Sequence, residues 1–343
     1  MRQLTEFPSV TSNSKGWSCW RFCIAPMMQY TDRHFRYLAR CLSQHARLYT
    51  EMVVASAIVR GDARRFLAHD PLETLVALQL GGSLPIELAL ASKMGEDAGF
   101  CEINLNVGCP SDRVQAGRFG ACLIAEPNLV AECVNAMQNA VRIPVTVKTR
   151  LGVDHFDSEE HLHNLVAEIA AAGCTTVLLH ARKALLNFSP RANREIPPLD
   201  YPRAYRVKQA FPELSIVLNG GIDSLTACTE HLKHLDGVML GRAAYANLAL
   251  IADADHQLFN AAWSRVDEIE LLHNLRAYLD AQVASGTALH HLTKHWLGLR
   301  QGRPGAREWR RLLATHTTRS LTVVDAIDEA VAFFTASKHS QAA

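Results

Sequence analysis

Residues 101–114 read CEINLNVGCPSDRV, and the change of character midway through them decides the fold. In the first half Ile103, Leu105 and Val107 alternate with Glu102, Asn104 and Asn106, the period of two expected of a strand. Gly108 breaks the run, Cys109 follows, and Pro110, Ser111 and Asp112 supply turn chemistry. A thiol therefore sits just beyond a strand, beside its polar face. In parallel α/β proteins ligands bind in the crevice past the carboxyl ends of the strands, which makes Cys109 a candidate for chemistry. As a residue type, free cysteine is also commonly just a small buried hydrophobe.

Working outward, short apolar runs of the same kind recur at 22–28, 47–54, 75–80, 144–150, 175–181, 214–219 and 237–240. With 102–107 they make eight, most separated by helical patterns, and they predict a (β/α)₈ TIM barrel. Thr31 and Ser83 are placed to cap the first and third intervening helices, with Pro85 near the start of the latter. Ser158 opens another with Glu159 and Glu160 in its first turn, Gly173 closes it, and Ser224 opens one after 214–219. A doubly wound sheet is the rival architecture, but it has fewer strands and a switch point that is not found. After about Asn260 only helical periodicity remains. Leu271, Leu275 and Leu279 share a face, as do Leu289, Leu292, Trp296 and Leu299, and then Val324, Ile327, Val331 and Phe334. The expected organisation is a flexible lead-in at 1–21, a barrel at 22–260 and a C-terminal α-helical bundle domain at 261–343.

The 343 residues are 48% hydrophobic and 20% charged, enough for a substantial core. Nine cysteines without CxxC pairs, and no apolar leader before them, predict reduced thiols, a cytoplasmic location and no structural zinc. Sixteen histidines show no HExxH motif, so no metal is expected. No apolar run is long enough to span a membrane. Net charge is only +1, yet 286–320 holds seven basic residues (Lys294, Arg300, Arg303, Arg307, Arg310, Arg311, Arg319) against the single acidic Glu308. Such segregation suits either a polyanion-binding surface or a solvated helix face.

A barrel places its chemistry at the strand ends. Pro26, Met27 and Met28 offer fixed backbone and apolar sulfur against a flat ligand, and Gln79 offers an amide to a heterocycle. Thr146, Lys148 and Arg150 share one strand face, and a lysine inside a barrel needs an anion or a polar ring to meet it. His180 ends the next strand, followed by Arg182 and Lys183. Asn219, Gly220 and Gly221, then Gly241 and Arg242, form the glycine-plus-arginine corner where barrels bind phosphate. Together these predict a phosphorylated, partly aromatic cofactor. Flavin mononucleotide (FMN) meets those needs, with Lys148 near its pyrimidine end and Cys109 able to donate a proton across a substrate.

The segments APMMQYTDRH, LYTEMV, ALQLGG, INLNVGCPSDRV, GACL, PVTVKTRLG, HARK, NREIPPLDYP, NGGI, DGVMLGR and PGAREWRR occur in this order from about residue 22 onward. In this they resemble the tRNA-dihydrouridine synthases, specifically the A branch. The resemblance implies an FMN-containing barrel with a helical RNA-binding domain. It would reduce uridine at positions 20 and 20a of the tRNA D-loop, with NADPH as reductant. It implies hydride transfer to uracil C6, protonation of C5 by Cys109, and a uracil held by Asn106. Gln79, Lys148, His180, Asn219 to Gly221 and Gly241 to Arg242 match flavin-binding positions. Arg191, Arg194, Arg307 and Arg310 match positions expected to touch tRNA, and Arg150, Arg182 and Lys183 are grouped with them as substrate contacts. A monomer is expected. Two departures stand out: Leu185 where the family pattern has tryptophan, and Asn247-Leu248 where it has Asn-Pro. A base target must be unstacked and drawn in while distant cations grip the backbone, and Gly117 and Gly120 could hinge a loop closing over it.

Two rivals remain at this level. One is an FMN barrel acting on a free small molecule, which would not need a basic helical appendage. The other is a non-catalytic RNA-binding barrel, which would not need Cys109 beside Asn106.

Overall fold

The computed structural model describes residues 17–261 and 267–342. Nine parallel strands occur among them: β1 (Phe22–Ile24), β2 (Arg47–Tyr49), β3 (Val53–Val54), β4 (Val76–Gly81), β5 (Glu102–Val107), β6 (Val145–Arg150), β7 (Thr176–His180), β8 (Ser215–Asn219) and β9 (Gly237–Leu240). Eight of them close a TIM barrel, because β2 pairs with both β1 and β4 and β1 pairs with β9. The ninth arises because the apolar run 47–54 is broken at Thr50, Glu51 and Met52. Its second half, β3, pairs only with the upper end of β4, Val53 opposite Leu80 and Val54 opposite Gly81.

Strand alternation sorts the core into two compartments. Ile103, Leu105 and Val107 point outward into the large apolar layer beneath the helices, with Ile24, Leu78, Val147, Leu179 and Leu218. Burying each such side chain contributes about 1.5–3 kcal/mol. Glu102, Asn104 and Asn106 point the other way, into the barrel, whose interior apolar cluster is the separate set Cys23, Ala25, Tyr49, Ala77, Leu178, Val217 and Met239, with Trp20 below them.

Trp20 corrects one expectation. Residues 1–16 of the expected lead-in lie outside the described residues, but Trp20 is only 7% exposed and its indole Nε1 donates to Glu102 Oε2 at 2.8 Å. The peptide carbonyl of Trp20 passes against Gly237, where any side chain would collide with it. Residues 17–21 are thus the floor of the barrel and not a loose lead-in.

The helix caps divide similarly. Ser158 Oγ accepts from His161 N at 3.0 Å and Ser224 Oγ from Ala227 N at 3.2 Å. Helix Arg33–Leu42, however, is capped by Asp32 and not Thr31, whose hydroxyl instead accepts from Met27 N. Leu84 rather than Ser83 precedes helix Pro85–Asp97, whose start rests on Pro85.

Beyond the barrel, helices Glu268–Ala284, Ala306–Thr315 and Val323–Ala342 enclose Trp296 and Trp309, and Trp309 Nε1 donates to Trp296 O at 2.9 Å. In the last helix the buried face is Val323, Ile327, Ala330 and Phe334, while Val324 is exposed. Two adjacent valines at the helix start leave the face ambiguous by one residue, and packing selects the first. The helices dock on the barrel through Asp32, which accepts from His295 and pairs with Lys294 Nζ at 3.1 Å, and through Tyr278, stacked on Tyr37 and bonded to His34 Nδ1 at 2.8 Å.

Candidate active site at the barrel mouth

Cys109 follows β5 in a half-buried loop tied at three points. Its N–H donates to Asn106 Oδ1 at 2.9 Å, its carbonyl accepts from Ala121 N at 2.9 Å, and its Sγ lies 3.4 Å from Ser111 Oγ. Gly120, at φ +74°, permits this because a Cβ there would lie 2.6 Å from the Cys109 carbonyl oxygen. Gly117 abuts the buried ring of Phe119, and Gln115 Nε2 donates to Pro110 O and Leu186 O, both at 2.8 Å. In this arrangement these glycines serve close packing of a pinned segment.

Asn106 Oδ1 also accepts from Gly108 N at 3.1 Å, which occupies both lone pairs of its carbonyl. Its Nδ2 donates to Gln79 Oε1 at 2.9 Å. One amide N–H is left, so what Asn106 can present to a bound base is a single donor, suited to a carbonyl oxygen.

Register sets the neighbours. Asn106 pairs with Lys148, Arg150 with His180, His180 with Asn219, and Asn219 with Met239. Lys148 Nζ donates to Asn219 Oδ1 at 3.0 Å, and Asn219 Nδ2 to Met239 O at 2.8 Å. Burial, assisted by Arg150 and opposed by Cys109, lowers the Lys148 pKa to about 7. Burial also pushes His180 well below its ordinary range, and the cations Arg150, Lys148, Arg182 and Arg194 act in the same direction. His180 is consequently a neutral imidazole, able to donate through one ring nitrogen and accept through the other. Burial and the neighbouring Arg242 lower Arg194 too, and its buried Nε has no acceptor.

This corner wants an anion. Gly220 (φ +115°) and Gly221 (φ +70°) carry the chain past it in a conformation side chains rarely adopt, and a Cβ on Gly220 would meet His180 Cδ2 at 2.6 Å. Tyr201 OH holds the Gly220 carbonyl at 2.9 Å. Exposed Arg242 begins the short helix after Gly241, and Met27 lies against Gly241. An excess of cations, an orphaned guanidinium N–H and turned-back glycine backbone fit a phosphorylated cofactor. Met28 is 57% exposed and lies outside this lining.

The remaining expected contacts separate. Arg150 is buried: its Nε donates to Gly108 O at 2.8 Å and its Nη1 to Lys183 O and Asn193 O. It ties the loop before Cys109 to the segment after β7, so its Nε and Nη1 are engaged within the protein. Burial lowers its pKa to about 10, with Arg182 and Arg194 adding to the effect and Cys109 opposing it. Arg182 Nη1 donates to Pro197 O, and Lys183 pairs with Asp157 at 2.7 Å. Arg191 is exposed beside Glu195. Of the seven cations in 286–320, Lys294, Arg303 and Arg319 are ion-paired and Arg300 is buried on Pro304 O. Arg307, Arg310 and Arg311 remain exposed on one face of helix Ala306–Thr315, opposite Trp309 and Leu313.

Three groups of residues went unremarked in the sequence. Asn193 is fully buried and donates to the carbonyls of Leu185, Phe188 and Ser189, shaping the loop where Leu185 departs from the family pattern. Arg47 and Tyr49 bind Glu102 inside the barrel, and Asn104 joins Gln79 to Thr146. The signal for these was present, since Glu102 shares the inward face with Asn104 and Asn106.

A closed parallel barrel with a thiol loop beside a cationic, glycine-turned corner has the form of a cofactor-dependent barrel enzyme. The family model described as dihydrouridine synthase matches residues 23–336, spanning barrel and helices alike. Proteins named tRNA-dihydrouridine(20/20a) synthase are similar over nearly the whole chain. That of Yersinia pestis is 48% identical over 334 residues (97% of this chain, 96% of that one). That of Vibrio cholerae is 50% identical over 317 residues (92% and 96%), and that of Pseudomonas aeruginosa 50% over 312 (91% and 94%). The chain belongs to the dihydrouridine synthase family, flavin-dependent oxidoreductases that reduce uridine to dihydrouridine. Among its described residues no helix is long and apolar enough to cross a membrane.

Proposed function

We propose that the chain reduces uridine in the D-loop of tRNA at positions 20 and 20a, with FMN bound at the corner formed by Lys148, His180, Asn219 to Gly221 and Arg242. When bound there and reduced by NADPH, FMN supplies the hydride that goes to uracil C6. Cys109 delivers the proton to C5 from its thiol. Asn106 offers its remaining N–H to a uracil carbonyl and seats the Cys109 backbone. Lys148, whose charge is suppressed by burial, would hold the pyrimidine side of the flavin, where its ammonium form would favour negative charge. Neutral His180 can hydrogen-bond to the cofactor without adding another cation. Residues 22–260 serve as the catalytic unit and 261–343 as the tRNA-gripping unit, where Arg307 and Arg310 meet phosphates, while Arg191 and Arg194 reach the substrate near the mouth. The whole acts as a monomer in the cytoplasm, a setting in which nine unpaired thiols are stable.

The observation that carries this reading is the register pair Asn106–Lys148, which puts the loop bearing the thiol next to the cationic corner. The names of the similar proteins support the same tRNA positions. The test is direct. Purified protein is incubated with NADPH and tRNA lacking dihydrouridine, its extracted flavin is identified, and the product is mapped by nucleotide. FMN and dihydrouridine at 20 and 20a are expected. A colourless protein, or modification confined to another loop, overturns the proposal.

A further inference from the structure

The barrel axis carries an unbroken line of hydrogen bonds, all directed the same way. From the top, Cys109 N–H donates to Asn106 Oδ1 (2.9 Å), Asn106 Nδ2 to Gln79 Oε1 (2.9 Å), Gln79 Nε2 to Asn104 Oδ1 (2.7 Å) and Asn104 Nδ2 to Thr146 Oγ1 (2.8 Å). Thr146 Oγ1 then donates to Glu102 Oε1. Glu102 also accepts from Tyr49 OH at 2.8 Å, from Trp20 Nε1 at 2.8 Å and from Arg47 Nε at 2.5 Å. Glu102, Asn104, Gln79 and Thr146 are all at most 1% exposed, so no water competes for these bonds.

The direction has a physical cause. An amide can present either end, and a hydroxyl can donate or accept, so Thr146, Asn104, Gln79 and Asn106 have no intrinsic orientation. A carboxylate ion-paired to Arg47 only accepts. It forces Thr146 to donate downward, which leaves the Thr146 oxygen to accept from Asn104, which in turn fixes Gln79 and then Asn106. The last step turns the Asn106 carbonyl upward, the same end that the donor-only backbone N–H groups of Gly108 and Cys109 require, so the polarity of the line is held from below as well as from above.

We propose that Glu102, at the floor of the barrel, is a positioning residue for the reaction: through Thr146, Asn104 and Gln79 it holds the Asn106 amide with its carbonyl facing the mouth, and so steadies the seat of Cys109. That the seat serves catalysis rests on Cys109 being the acid proposed above; the seat itself does not. Glu102→Gln is the obvious variant, but it leaves Arg47 buried without its counter-charge and can fail to fold. Thr146→Val keeps the ion pair and the side-chain shape while removing the one hydroxyl that links it to the amides. Thr146→Ser restores that hydroxyl.

The experiment compares wild type, Thr146→Val and Thr146→Ser as purified holoenzymes. It measures hydrogen exchange of the peptide containing the Gly108 and Cys109 amides, thermal unfolding, and kcat and KM for tRNA. Thr146→Val should exchange those amides about fivefold faster or more. Its kcat should fall by about tenfold with KM little changed, as a misplaced reacting group requires. Thr146→Ser should return both to near wild type. Faster exchange with kcat unchanged leaves the anchoring by Glu102 standing and counts against Cys109 as the acid. Exchange that is unaltered in a folded Thr146→Val protein, or a Thr146→Ser protein that behaves like the valine variant, overturns the proposal.

Discussion

The floor and the mouth of the barrel both hold buried charge, and they treat it oppositely. At the floor Arg47 and Glu102 are fully buried, paired with each other and surrounded by Trp20, Tyr49 and Thr146. At the mouth the cations Lys148, Arg150, Arg182 and Arg194 crowd around His180, whereas the floor sets one carboxylate against its one guanidinium; unpartnered guanidinium nitrogens occur at both ends, on Arg194 and on Arg47. Charge that is balanced within the protein holds structure together. Charge left in excess stores an affinity for something brought from outside, which on the proposed reading is a phosphorylated flavin and the polyanion that carries the substrate.

That contrast can be broken by substitution. Removing one partner at the floor, as in Arg47→Met, should destabilise the protein by about 3–5 kcal/mol because Glu102 is left buried and unpaired, measured by urea denaturation. Removing a cation at the mouth, as in Lys148→Met, should cost the flavin-free protein little or nothing. Equal losses at both ends would erase the distinction.

The pH dependence sharpens it. In the folded protein Lys148 loses its proton near pH 7, whereas an unfolded lysine keeps it to about 10.4. Between those values the unfolded chain binds more protons, so this contribution makes stability rise with pH; below about 7 the full cost of burying the charge is present. The stability of flavin-free wild type relative to Lys148→Met should therefore increase by about 1–2 kcal/mol from pH 6.5 to 8.5. A flat difference would mean that Lys148 is charged when folded.

The smallest effect belongs to the exposed cations. Arg310→Ala should weaken tRNA binding in proportion to salt, reducing the slope of log affinity against log salt by about 1, measured by titration at several salt concentrations. Arg303→Ala, whose guanidinium already pairs with Glu268 at 2.5 Å, should change that slope less.

Much of this was legible in the sequence, for identifiable reasons. The alternation at Glu102 to Val107 stated which side chains enter the barrel, and the glycine pair after Asn219 stated where the backbone turns back at positive φ beside His180. The ion pair was not legible, because Glu102 and Arg47 are 55 positions apart and only closure of the sheet brings them together. Arg150 looked available because it ends a strand, yet the fold supplies it with three backbone carbonyls. The break at Thr50 to Met52 was hidden because 47–54 contains strand-forming residues on both sides of it. The basic segment was read as uniform, although only tertiary contacts divide its cations into paired ones and the exposed Arg307, Arg310 and Arg311.

The central claim concerns the thiol at the mouth, and one measurement reaches it. Flavin-reduced Cys109→Ala enzyme is mixed with tRNA in a single turnover, with flavin content and tRNA affinity measured on the same preparation. Dihydrouridine formation slowed by about 10²–10⁴-fold, with flavin and tRNA binding intact, is the predicted result. A rate equal to wild type, or a protein that no longer holds its flavin, would contradict it.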